Sequence, residues 1–370
     1  MRTTAGEQRN KMNEKTIDNP RRGRARQVRR WGWASLVACL AVFAACQRGG
    51  GAVTKLNGQA QGTYYRVLYC DPQHRNLQPS IDSLLDDFDR TASLWVDSSL
   101  LRQVNENRTV WVNDYFADMF SKSVETSRYT QGCFDCTVGK LVNAWGFGFK
   151  KRETLSDEAV DSLRQYTGSE KVRLVCDSTT QGNWRVEKQF PETEIDFNAI
   201  AQGYSVDLLA RFFDERGIEN YLIDVGGEVI ARGQKPDGKP WSVGIERPAA
   251  GRYDSPEVQT VIALRNRSVV TSGNYRKYYE QGGVKYSHTI DPSTGRPVTH
   301  SLLSVSVIDS TAWRADAKAT AFMVMGLERA LQFIREHPED DGVQAAYFIY
   351  DDGGNFATYA TEAFEKMILQ

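Results

Sequence analysis

A chain of 370 residues that is 41% hydrophobic, 25% charged and 11% aromatic is globular in composition and long enough for one large or two ordinary domains. Those values exclude a wholly disordered chain and a multi-span membrane protein. Residues 1–45 carry ten basic and three acidic side chains, +7, against a chain total of −1, which leaves −8 on the rest and argues against nucleic acid as the main partner.

The chain opens on a dense basic run, Arg21 to Arg30, followed by an uncharged apolar stretch from Trp31 to Ala45. Cys46, Gln47, Arg48 and three glycines come next. A basic n-region, an apolar h-region and small residues at its exit describe a secretory signal peptide. The stretch is short for a spanning helix, which needs roughly twenty residues; an uncleaved anchor is the alternative. Phe43-Ala44-Ala45-Cys46 resembles the lipobox of bacterial lipoproteins, where the cysteine is acylated and becomes the new N-terminus. Residues 1–45 are therefore read as a signal peptide, with Met12 as an alternative start. Residues 46–56 are read as a lipidated cysteine and flexible tether, and 57–370 as the folded domain. The resulting location is the periplasmic side of a bacterial membrane, with attachment through lipid at Cys46. Disulfides are allowed there. Cys133 and Cys136 form a C-x-x-C that is either a redox or metal pair or two small apolar residues flanking Phe134-Asp135. No second C-x-x-C or histidine cluster completes a zinc site.

Beyond the tether, Tyr64 to Tyr69 reads as a strand. Ile81, Leu84, Leu85 and Phe88 recur at amphipathic spacing and predict a helix over Ser80 to Val104. A second helix is predicted over Tyr115 to Arg128. A loop with a short helix is predicted over Gly132 to Phe149, a third helix over Ser156 to Tyr166, and a hairpin from Val172 to Cys176 and Trp184 to Glu187. Further helices are predicted over Ile200 to Arg216 and, as one long rod, over Ala312 to Glu336. Strands are predicted at Tyr221 to Val225, Trp241 to Ile245, Val258 to Leu264, Ser268 to Thr271, Lys285 to Ile290, Ser304 to Ile308 and Ala345 to Tyr350. Strands in series with a few long helices indicate α+β rather than a doubly wound sheet.

Four stretches concentrate polar residues in unusual company. Gly132-Cys133-Phe134-Asp135-Cys136-Thr137-Val138-Gly139 is either a polar ligand loop or a tight turn. Asp196 and Asn198 stand just before the helix that contains Gln202 and Gly203. They serve either as caps or as part of a phosphate-binding helix start. Gly203 costs that helix about 1 kcal/mol against Ala, which points to close approach by a chain or a ligand. His288 leads into Asp291-Pro292-Ser293-Thr294-Gly295. It is a candidate general base, with a structural histidine as the plain alternative. Asp316 and Thr320 are four residues apart among alanines, so both lie on one helix face. A carboxylate and a hydroxyl in such a niche suit a hard cation completed by phosphate oxygens and water; otherwise Thr320 bonds back to the Asp316 carbonyl.

Taken in order, these stretches resemble the FAD:protein FMN transferases of the ApbE family. The resemblance runs from Gly62-Thr63-Tyr64 through Ser93 to Asn105, the Gly-x-Phe-Asp-x-Thr-Val-Gly run and Trp145-Gly146-Phe147-Gly148. It continues through Asp196 to Asp207, Gly226-Gly227-Glu228, Thr271-Ser272-Gly273 and the Ser-His-x-Ile-Asp-Pro-x-Thr-Gly run to Ala315-Asp316-Ala317 with Thr320. It implies a two-lobed α+β, T-fold-like architecture of mixed or antiparallel sheets with helices packed on them and FAD in the cleft between lobes. It implies flavin contacts at Gln61, Trp95, Cys133, Phe134, Asp135, Asp196, Gln202 and Ile290. It implies Mg2+ held by the Ala199 carbonyl and the Asp316 and Thr320 side chains, and His288 as catalytic base; Asp291 is the next catalytic candidate. Gln61 and Gln202 stand where the family often has Met and usually has Lys, and Cys133 and Cys136 replace apolar neighbours.

The reaction so implied moves FMN from FAD to a Thr or Ser hydroxyl of a target protein and releases AMP. The implied acceptor is a flavinylated subunit of a membrane redox complex, of the sodium-pumping NADH:quinone reductase or Rnf type. The alternatives are an FAD pyrophosphatase, with water as acceptor, and a non-enzymatic flavin-binding lipoprotein.

Overall fold

The computed structural model describes residues 52–148, 155–176, 184–248, 257–274, 278–281, 284–338 and 345–369. Residues 1–45 and Cys46 lie outside this set. Gly50 to Gln370 forms one compact unit.

Thr54–Ala60 (β1) and Thr63–Tyr69 (β2) form a hairpin closed by Gln61 and Gly62 at φ 55° and 72°. Two left-handed residues in a two-residue loop are the signature of a type I′ turn, whose twist matches that of the strands. β1 begins three residues before the expected domain start at 57. Asn57, Gly58 and Gln59 are poor strand formers, so pairing with β2 rather than propensity makes this strand.

The helix expected from Ser80 to Val104 is two helices, Gln78–Ala92 (α1) and Leu100–Asn105 (α2). Ser93 Oγ accepts from the Trp95 and Val96 amides, and Ser99 Oγ donates to the Ser93 carbonyl. Ser99 Oγ then caps α2 by accepting from Arg102 N at 3.2 Å. Serine hydroxyls that bond the nearby backbone compete with the helix ladder, and here they win. Trp111–Val112 (β3) follows, then Asp114–Tyr129 (α3), Gly139–Ala144 (α4) and Asp157–Arg164 (α5). Val172–Cys176 (β4) and Trp184–Lys188 (β5) pair as expected and join β3 in a small sheet.

Ala201–Asp214 (α6) leads into the main sheet, built from Tyr221–Val225 (β6), Glu228–Arg232 (β7), Arg267–Gly273 (β10), Leu302–Asp309 (β15), Ala346–Asp352 (β16) and Asn355–Ala360 (β17). Its order is β1-β2-β6-β7-β10-β15-β16-β17, antiparallel at every step. The α+β class expected from the sequence holds. Trp241–Arg247 (β8) and Glu257–Leu264 (β9) form a separate hairpin. Tyr278–Gln281 (β11) pairs with Val284–Ser287 (β12), and Ile290–Asp291 (β13) with Arg296–Pro297 (β14), so the strand expected from Lys285 to Ile290 breaks at His288-Thr289.

One face of the main sheet, with Tyr65, Val67, Ile223, Val225, Ile230, Val270 and Val305, packs under α1, α6 and Ala312–Glu336 (α7). The same core continues to Val112, Val172 and Val186 of the small sheet, so the expected lobes share one interior. The other face, with Leu222, Val229, Val269 and Ile308, is covered by the β8–β9 hairpin and by Phe364 of Glu362–Glu365 (α8). α7 is not one rod: Gly326 sits at φ 74° and ψ 173° and kinks it.

Candidate active site

At one edge of the main sheet three chain reversals or ends meet on the side of the helices. The Tyr65↔Val225 register sets the Gln61-Gly62 turn beside a second two-residue turn, Gly226-Gly227, at φ 62° and 112°. The last residues of β10, Thr271 to Gly273, extend past the same edge. Side chains alternate along a strand, and Ile230 and Val270 lie under the helices, so Glu228 and Ser272 face the helices too.

α6 and α7 bring their first turns to this edge because Gly203 lets them touch. A Cβ on Gly203 would lie 2.5 Å from the Ala312 carbonyl oxygen and 2.9 Å from Asp316 Cβ. The close approach predicted for this glycine is therefore to α7. Asp207 of α6 accepts from the Ala312 and Trp313 amides at 3.0 and 2.8 Å and caps α7 from outside. The Gly203 N–H, whose partner in a regular helix would be the Ala199 carbonyl, donates to Asp316 Oδ2 at 3.1 Å. That leaves the Ala199 carbonyl outside the helix ladder. Thr320, one turn beyond Asp316, has its hydroxyl 3.4 Å from that of Ser272. Gln202 donates from Nε2 to the Val225 carbonyl at 2.9 Å and fills the space beside Gly226.

Asp316 is buried, and no lysine or arginine among the described residues pairs with it; Lys318, two residues on, is held by Asp309 at 2.8 Å. Burial pushes the Asp316 carboxyl up to about 7, opposed by the Gly203 N–H and reinforced by Asp207. Burial also raises the Glu228 carboxyl, and the charge of Asp316 adds to it. Glu228 Oε2 and Gln61 Nε2 are buried without hydrogen-bond partners among the described residues. A buried carboxylate, a hydroxyl and a carbonyl outside the helix ladder, with an unpaired carboxylate oxygen in electrostatic reach, form a donor set that fits a hard divalent cation. No group of three or more His, Cys, Asp or Glu is placed to hold a metal among the described residues. The protein thus offers part of a coordination sphere, as suits Mg2+ with phosphate and water completing it.

A second group lies against the chain that enters α6. Asp196 N donates to the Cys136 carbonyl at 2.7 Å, and Val138 bridges to Glu194. Asp135 is absorbed in its own loop: Oδ1 accepts from Thr137 N and Oγ1, and Oδ2 from Ser169 N at 2.9 Å. Asp196 Oδ1 accepts from Asn198 N at 2.7 Å in an Asx turn. Phe134, Cys133 and Cys136 are buried. Both thiols are free, and burial raises both above the ordinary range, so the C-x-x-C is neither a disulfide nor a thiolate pair here.

The third group carries His288. Its ring stands edge-on to Phe147 with centroids 6.5 Å apart. Thr289 Oγ1 donates to Asn274 Oδ1 at 2.6 Å, which ties this segment to the end of β10 and so to Ser272 and Thr320. Asp291 accepts from Ser293 N and Oγ, shaping the turn after His288. Ile290 packs with Leu141, Trp145 and Val160, and Trp145 Nε1 donates to the Gly295 carbonyl at 2.8 Å. Trp95 is 65% exposed, on the serine-bonded link between α1 and α2.

Residues 61–346 match the ApbE family. The chain is 34% identical over 345 residues to the FAD:protein FMN transferase of Vibrio cholerae, covering 91% of this chain and 98% of that one. It is also 34% identical over 325 residues to the Escherichia coli FAD:protein FMN transferase, covering 86% and 90%.

The chain belongs to the ApbE family.

Solved ApbE structures agree: the apo flavinyl transferase of Pseudomonas stutzeri superposes with a TM-score of 0.74 at 31% identity, covering 85% of this chain and 96% of that one. The Vibrio cholerae flavin transferase superposes at 0.72 and 32%, covering 85% and 99%. As an ApbE member the chain is an enzyme, a transferase. Glu228 and Ser272 were visible in the sequence only as parts of motifs; a glutamate directly after a Gly-Gly turn, two residues before a buried strand position, is the signal that marks it.

Proposed function

We propose that this protein transfers FMN from FAD to a Thr or Ser hydroxyl of a target protein, with Mg2+, and releases AMP. The observation that carries the reading is Asp316: a buried carboxylate with no basic partner among the described residues, steadied by Gly203 N–H and followed one turn later by Thr320. Asp316, Thr320 and the Ala199 carbonyl would hold the cation. The chemistry these residues would bring to bear through the held cation is neutralisation of pyrophosphate charge and stabilisation of the charge that develops as the bond breaks. Gln61, Trp95, Phe134, Asp196, Gln202 and Ile290 are the contacts that orient FAD, with the Cys133 and Asp135 loop holding Phe134 in place. Gln202 brings a donor but no charge.

His288 takes the proton from the acceptor hydroxyl as that oxygen bonds to the FMN phosphorus; the P–O bond to the AMP phosphate breaks and AMP leaves with the electron pair. Asp291 shapes the turn that presents His288. A membrane-anchored enzyme, with lipid on Cys46 after cleavage of residues 1–45, meets acceptors of the sodium-pumping NADH:quinone reductase or Rnf type on the periplasmic side at raised effective concentration. One incubation with FAD, Mg2+ and such an acceptor subunit tests this. A flavin-fluorescent acceptor band in a denaturing gel supports it, and free FMN with an unlabelled acceptor replaces it with FAD hydrolysis.

A further inference from the structure

Glu228 has no part in the chemistry above, yet one of its oxygens is among the least satisfied buried side-chain atoms of the described residues. Oε2 is shielded from solvent and has no hydrogen-bond partner among the described residues. The Gly226-Gly227 turn and the strand alternation of β7 fix its direction, under the helices and within electrostatic reach of Asp316. A solvent-shielded carboxylate oxygen on a half-buried glutamate, within electrostatic reach of the buried Asp316 carboxyl, is unfavourable without a cation or a proton, and an apolar side chain of similar volume would avoid that cost. Arg314 and Lys318, each two residues from Asp316, are both drawn to Asp309, at 3.6 and 2.8 Å. The arrangement is consistent with a divalent cation between the helix edge and the sheet edge.

We infer that Glu228 supplies the second negative charge of the cation site, facing from the sheet the cation that Asp316, Thr320 and the Ala199 carbonyl hold from the helices, directly or through one of its waters. This rests on the cation reading proposed above. The probe is Mn2+ added to the full-length, chelator-stripped protein without FAD, followed by the electron paramagnetic resonance signal of free Mn2+ and by melting temperature. Glu228→Gln should weaken Mn2+ affinity at least about tenfold and shrink the Mn2+-induced rise in melting temperature. Asp316→Asn should lose Mn2+ binding. If Glu228→Gln binds Mn2+ like the unmodified protein while Asp316→Asn does not, Glu228 is no part of the site and the cation reading stands. If Asp316→Asn also binds normally, both fall. Should Glu228→Gln fail to fold, Glu228→Asp decides: it keeps the charge but withdraws it by one methylene. Weakened Mn2+ affinity at an unchanged metal-free melting temperature supports the inference, and unchanged affinity overturns it.

Discussion

His288, the proposed base, has neighbours on both sides: Phe147 against its ring and Thr289 tied to Asn274. Its imidazole is half-buried at a break between two short strands, where no ladder constrains it. Replacing it by alanine should leave FAD affinity intact and lower the transfer rate on the order of 10²–10⁴-fold, the range of general-base assistance. Isothermal titration and single-turnover assays separate the two; loss of FAD binding would make His288 a ligand contact instead. At this scale the sequence marks clusters of rare residue types, such as those around His288 and Asp316, as candidates. It was silent on what each oxygen bonds. Asp135 and Asp291 look like free acids in the sequence, and the structure gives their carboxylates to turn amides. A titratable residue two positions before a Thr or Ser is often spent on its own turn.

The pair α6 and α7 is the element that builds the site, and its contact is steric before it is polar. Gly203→Ala would gain about 1 kcal/mol of helix propensity but force Cβ into the Ala312 carbonyl, and overpacking costs about 1–3 kcal/mol. The variant should melt lower and bind Mn2+ more weakly, because α6 and α7 must part beside Asp316. A higher melting temperature would contradict the packing account. Asp207 offers a second check on the same pair. Burial raises its carboxyl to about 6 despite the Ala312 and Trp313 amides. A carboxyl raised above its unfolded value contributes stability that is full below about pH 4 and lost as pH rises through about 6. In chelator, Asp207→Asn should therefore flatten the fall in melting temperature between pH 4 and 6; an unchanged slope would contradict it. Periodicity made α1, α3, α6 and most strands legible. It could not show the Ser93–Ser99 break, where hydroxyls outcompete the ladder, nor β1, whose residues are strand formers only beside β2. The Gly326 kink also escaped it, since one glycine does not interrupt a hydrophobic stripe.

On the scale of the whole molecule, the charge step from +7 over residues 1–45 to −8 beyond falls at Cys46. On the proposed lipoprotein reading, an acidic body would be mildly repelled by anionic lipid, so acyl chains rather than a basic patch would supply attachment, at roughly 0.8 kcal/mol per buried CH₂. Mass spectrometry of the membrane fraction should find diacylglycerol on Cys46 and no residues 1–45; an intact Trp31 to Ala45 segment would make the protein signal-anchored. The architecture itself, an antiparallel sheet with helices on one face and a hairpin on the other, was legible as a class from the sequence. Its strand order was not, because the order depends on which edges meet after folding. Transfer of FMN from FAD to protein is decided by peptide mass mapping of the acceptor after reaction with FAD and Mg2+, with AMP quantified in the same tube. The expected products are FMN in phosphoester linkage on one Thr or Ser and one AMP per FMN attached, and neither forms with Asp316→Ala. AMP formed without any modified acceptor, or FMN attached without AMP, would contradict it.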